Sequence, residues 1–165
     1  MTNIENVAKV RKQTRLALPE DDSYLYRLGV ALYGFSSISS FMTEIICHID
    51  TSQDRTELLD KQSGAVLDKF RQTLKKIKSE NEYSTIHGLM KQTADLFEKL
   101  NTERSDFVHT YPITNGEQQQ ILHRRKDSRG KYFEVDNDFL DSFIGQLHEV
   151  SDGLYEIRAA VRPTL

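Results

Sequence analysis

Residues 136–163 read DNDFLDSFIGQLHEVSDGLYEIRAAVRP. Phe139, Phe143, Leu147, Val150, Leu154, Ile157 and Val161 recur at spacings of three and four, which places them on one face of an α-helix. Asp136, Asn137 and Asp138 supply side-chain oxygens for the unpaired amides of a first turn, and Pro163 ends the pattern. This is the cleanest helical stripe in the chain, and three others precede it.

Moving outward from that helix toward the N-terminus, Gln120 to Lys126 and Lys131 to Val135 flank Asp127-Ser128-Arg129-Gly130. This predicts a small β-hairpin with a glycine-containing turn, within residues 118–136. A third helix begins near Tyr83, with Ile86, Met90, Thr93, Phe97, Leu100 and Phe107 on its apolar side. It should stop at about Thr110, because Pro112 pushes Tyr111 into an extended or turn conformation; Asn115-Gly116 adds a turn signal. A second helix runs from about Thr56 to Lys78, burying Leu59, Val66, Phe70, Leu74 and Ile77, with Gly64 as its weak point. Lys69, Arg71, Lys75, Lys76 and Lys78 form its solvated outer face.

The first long helix follows Pro19, with Glu20, Asp21, Asp22 and Ser23 at its electropositive N-terminus. Leu28, Leu32, Phe35, Ile38, Met42, Ile45 and Ile49 form its stripe. Gly29 and the run Gly34-Phe35-Ser36-Ser37-Ile38-Ser39-Ser40 are rich in small residues, which suits a close helix contact, within the chain or between subunits, or a bend. Residues 1–18, with Lys9, Arg11, Lys12 and Arg15, read as a short helix or a loosely docked N-terminal arm. The expected fold is all-α: a four-helix up-down bundle with a small β-hairpin inserted between helices three and four, in one domain over residues 1–165.

A chain of 165 residues with 38% hydrophobic and 28% charged residues buries a sizeable core without staples. Cys47 is the only cysteine, so no intrachain disulfide forms, and it falls in an apolar pattern; a reducing, cytoplasmic compartment is expected. The first residues lack an apolar signal core, and no run of about eighteen apolar residues is evident, so neither secretion nor membrane insertion is expected. A net charge of −3 argues against a generally basic coat. Polyanion binding must come from local clusters such as Arg124 to Lys131, where five basic residues face the single Asp127.

Phosphate-binding glycine loops, His-Glu-x-x-His and paired cysteines are all absent, so neither a metal nor a cofactor is expected. His48, His87, His123 and His148 are scattered without ligand spacing. What remains is Glu103-Arg104-Ser105-Asp106-Phe107-Val108-His109-Thr110-Tyr111-Pro112. Arg104 lies on the apolar side of the third helix, four residues past Leu100 and seven past Phe97. His109 is five residues further, about 140° around an ideal helix, so the two share a face only if the helix loosens or a second copy brings two sets together. A helix C-terminus favours imidazolium at His109. A fixed cation beside a titratable imidazole suits a phosphodiester: Arg holds phosphate oxygens, His moves a proton. The competing expectation is a surface pair of Arg104 with Glu103 or Asp106, and a His109 that only ends the helix.

A helical bundle carrying Arg-x-x-x-x-His near the end of its third helix resembles the HEPN superfamily, over roughly residues 22–162. The resemblance implies a single HEPN-like domain and, for many members, a metal-independent endoribonuclease in which two protomers bring their Arg and His together in a homodimer cleft. Those roles fall on Arg104 and His109; the polar position after the arginine falls on Ser105, where the family more often has Asn, Asp or His, and Asp106 follows it. Tyr111 extends the match to Arg-x-x-x-x-His-x-Tyr, similar to toxins paired with a nucleotidyltransferase antitoxin that modifies the tyrosine.

The basic hairpin would then be an elaboration that grips RNA phosphates through Arg124, Arg125, Lys126, Arg129 and Lys131, with Tyr132 or Phe133 for stacking. Three expectations stand side by side. One is a HEPN ribonuclease of a toxin or phage-defence type, cleaving single-stranded RNA by 2′-hydroxyl attack. The second is a non-catalytic HEPN-like module binding a nucleotide, RNA or protein partner. The third is a helical interaction protein whose Arg-His pair is accidental.

Overall fold

A computed structural model of the chain describes residues 3–14, 17–124 and 133–162. Its elements are α1 (Asn3–Gln13), α2 (Asp22–Ile49), α3 (Arg55–Leu59), α4 (Ser63–Ser79), a 3-10 turn (Ser84–Ile86), α5 (His87–Val108), β1 (Tyr111–Thr114), β2 (Gln120–Arg124), β3 (Phe133–Val135) and α6 (Asn137–Val161). The protein is mostly helical, with a small three-stranded antiparallel sheet ordered β1-β2-β3.

The helix starts follow their side-chain chemistry. Asp136 stands extended before α6 and its carboxylate accepts the Phe139 N–H at 2.7 Å, as the sequence predicts. Asp21 does the same for α2, accepting the Ser23 N–H at 2.8 Å. α1 is the N-terminal arm: Arg11 donates to the Pro19 carbonyl at 2.7 Å and pairs with Asp22 at 2.5 Å, tying it to the start of α2.

One helix was expected from Thr56 to Lys78, and the structure breaks it between α3 and α4 at Asp60 to Gln62. Only Ala65 is apolar between Leu59 and Val66, so no large side chain there holds the helix to the core, and Ser63 and Gly64 are weak helix formers. The break changes the register: Leu58 is buried at 3% exposure, whereas Leu59, placed in the stripe by sequence, is 49% exposed.

The core lies between the long helices. α2 packs against α6, α4 and α3, and α5 against α6 and α4. Met42, Ile45, Phe70, Met90, Phe97, Leu100, Phe143, Leu154 and Ile157 are fully buried, each removing apolar surface worth about 1.5–3 kcal/mol. Leu32, assigned to the α2 stripe, is instead exposed, and Tyr24, Ala31 and Ile46 complete the buried face. By length and composition α2 could span a bilayer, contrary to expectation, yet its apolar face is part of this core. Gly34 shows how closely the helices meet: a Cβ there would stand 2.9 Å from Leu147 Cδ1 of α6.

The sheet has one more strand than the expected hairpin. β1 forms because Pro112 extends the chain directly after α5, pairing Tyr111 with His123 and Pro112 with Leu122. β1 is an edge strand, where a missing proline N–H is tolerated. Asn115 closes the β1–β2 turn, its side-chain oxygen accepting the Glu117 and Gln119 N–H groups at 3.0 and 2.9 Å. The predicted strands on either side of residues 125–132 are present as β2 and β3, while the turn itself lies outside the described residues. Tyr24 fastens this sheet to α2: its buried hydroxyl accepts the Leu122 N–H at 2.8 Å and donates to the Val135 carbonyl at 2.8 Å.

Candidate functional site

Arg104 leaves α5 on the face that also carries Asn101, three residues earlier. Its guanidinium lies over the ring of Phe35, 5.6 Å from the centroid, and the half-buried side chain forms no ion pair among the described residues. Phe35 is buried and stacks on Phe97 with centroids 5.4 Å apart, so the arginine rests on a rigid aromatic platform. The expected surface pair with a neighbouring carboxylate does not form. Glu103 accepts from Gln146 Nε2 at 3.1 Å and lies 3.8 Å from Lys99, while Asp106 pairs with Arg124 of β2.

His109 sits on the residue that ends α5, with φ −97° and ψ 22°, its N–H turned toward the Asp106 and Phe107 carbonyls. This residue has left ideal helical geometry, the condition under which side chains 140° apart can reach one face. Arg104, Ser105 and the exposed His109 therefore line one cleft of about 690 Å³ within a single chain.

Its opposite wall is α2, presenting Ser36, Ser39, Ser40 and Thr43, and the break between α3 and α4 adds Lys61, Gln62, Ser63 and Gly64. Ser63 donates to the Asn101 side-chain oxygen at 2.6 Å, tying the start of α4 to α5. Among the described residues no aspartate or glutamate lines this cleft, although the chain carries a net charge of −3. Among the described residues its fixed charges are Arg104 and Lys61, both positive.

The other predicted residues lie elsewhere. Asp106 and Tyr111 do not line the cleft. Tyr111 opens β1, is 43% exposed and meets His123 edge-on with centroids 5.4 Å apart. Arg124 is held by Asp106, each side chain only 16% exposed, and the pair ties β2 to the last turn of α5. Phe133 packs against Phe139 at 5.4 Å. Arg125, Lys126, Arg129, Lys131 and Tyr132 lie outside the described residues.

His48, His87, His123 and His148 do not line the cleft either, and among the described residues no three His, Cys, Asp or Glu side chains are grouped to hold a metal ion. Cys47 is half-buried, and burial pushes its thiol up from the usual range. Sequence reasoning missed Asn101, Lys61, Ser63 and the α2 serines as a site. Asn101 was legible from its spacing to Arg104, whereas Lys61 and Ser63 belong to a break that no proline announces. Comparison with protein-family models, curated proteins and solved structures finds no match for this chain.

Proposed function

We propose that this chain is a HEPN-type endoribonuclease that cleaves single-stranded RNA without a metal ion, its four long helices forming an up-down bundle that pairs as a homodimer. One observation carries the reading: among the described residues, a half-buried arginine without an ion-pair partner shares with His109 a cleft that no carboxylate lines. Such a cleft attracts an anion, and Arg presents a planar pair of donors to phosphate oxygens.

In the proposed reaction the ribose 2′-oxygen attacks the adjacent phosphorus as its proton passes to a base. The bond from phosphorus to the 5′-oxygen breaks, that oxygen takes up a proton, and a 2′,3′-cyclic phosphate remains. Arg104 stabilises the charge that grows on the non-bridging oxygens. His109 performs one of the two proton transfers, and its copy in the partner protomer performs the other. The exposed Tyr111 is accessible to a modifying antitoxin enzyme of the nucleotidyltransferase type, which suits a toxin or phage-defence role.

The test is EDTA-resistant cleavage of single-stranded RNA by the purified dimer. His109→Ala should lose about 10²–10⁴ in rate, and Arg104→Ala about 10²–10³. Unchanged cleavage in either folded variant would overturn the mechanism. A second reading, a module that binds a nucleotide, RNA or protein partner without turnover, draws on Ser105 at the polar position and on Arg124 being tied to Asp106. Tight RNA binding with no cleavage by the unaltered protein would select it.

A further inference from the structure

The cleft has a second fixed cation that the Arg-His motif does not contain. Lys61 lies in the break between α3 and α4, exposed to solvent, and forms no ion pair among the described residues. It borders two grooves: one holds Asp54, Glu57 and Asp68, yet none of these carboxylates lies within ion-pair distance of its ammonium, and the other is the Arg104 cleft. Arg104 occupies the α5 wall, fixed on Phe35, and Lys61 occupies the α3–α4 wall. The 2.6 Å bond from Ser63 to Asn101 joins those walls, and it uses the Asn101 oxygen, which leaves the amide nitrogen to donate to a ligand. A cleft of about 690 Å³ is far larger than one phosphate fills.

We propose that Lys61 is a second phosphate-binding cation, so that the ligand of this cleft is a strand with at least two successive phosphodiesters. The inference rests on the ribonuclease reading of the same cleft, with Arg104 on the scissile phosphate and Lys61 on its neighbour. Lys61 is thus a positioning residue: it selects strand length and contributes to binding rather than to the chemical step.

The test is binding in a His109→Ala background, where substrate is not turned over, using oligoribonucleotides with one, two and three phosphodiesters at several salt concentrations. Fluorescence anisotropy should show affinity rising about tenfold from one phosphodiester to two, with the salt slope steepening by about 0.7. Adding Lys61→Ala should abolish both increments, and Lys61→Arg should restore them.

Increments that survive Lys61→Ala, or no binding of any oligonucleotide, overturn the proposal. Cleavage by the unaltered protein is scored separately. Cleavage with Lys61-independent increments sinks the second cation alone, whereas Lys61-dependent binding without cleavage sinks the reaction alone.

Discussion

Gly34 and Ser39 lie five residues apart on α2, and the helix meets the rest of the protein in opposite ways at the two. At Gly34, α6 comes so near that even a methyl group would crowd Leu147, with 2.9 Å between the atoms. At Ser39 the helix faces an open cleft. Both positions belong to one run of small residues, so their size does not decide whether a side chain is omitted for contact or for space. The neighbour decides: α6 is a continuous helix with one apolar face, whereas the α3–α4 segment breaks at Asp60 to Gln62 and leaves that side of α2 open. The cleft is a consequence of that break.

Phe35 belongs to both sides, buried in the core and carrying Arg104 on its ring. Phe35→Ala should therefore break the comparison at its hinge. It is expected to cost about 3–5 kcal/mol in urea unfolding and to weaken ligand binding by releasing the arginine. Next in size is Gly34→Val, which overfills the α2–α6 contact and should cost about 1–3 kcal/mol, read as a lowered unfolding midpoint.

The C-terminal end of α2 gives a smaller, pH-dependent effect. The Asp50 carboxylate accepts from Ser52 at 2.8 Å and from Lys76 at 3.0 Å. These bonds, Ser52 first, hold its pKa at about 2, below the ordinary 3.8. A depressed carboxylate pKa means that the folded form favours the charged state, so this contribution is complete above about pH 4 and fades as the pH falls toward 2. Asp50→Asn should lower stability by about 1 kcal/mol at pH 6 and by much less at pH 2, as measured by urea titration at both.

Ser39→Val, matched to Gly34→Val, should change stability by less than about 0.5 kcal/mol while reducing ligand binding. An equal loss of stability at the two positions would erase the distinction between contact and cleft.

These contrasts also mark how far the sequence could be read. α6 was legible because the acidic cap, the apolar stripe and Pro163 agree on the same boundaries. The second helix was misread because Leu59 and Val66 keep helical spacing across a segment that has left the helix, and spacing carries no record of the interruption. β1 was hidden by its brevity and its proline, which the β2 partner tolerates. For the site, the Arg-His stretch supplies one wall of the cleft, and the 140° separation holds only where helical geometry continues to His109. The hairpin reading of Arg124 left out its partner, because charge counting does not see Asp106 eighteen residues earlier, brought alongside by the turn into β1.

The Tyr24 hydroxyl bridges Leu122 and Val135, residues that face each other across β2 and β3. The amide proton of Leu122 is therefore shielded by a side chain of α2. In hydrogen exchange its protection should follow the opening of that helix and not the fraying of a three-stranded sheet, which would make one strand amide a clock for the helix that forms a wall of the cleft.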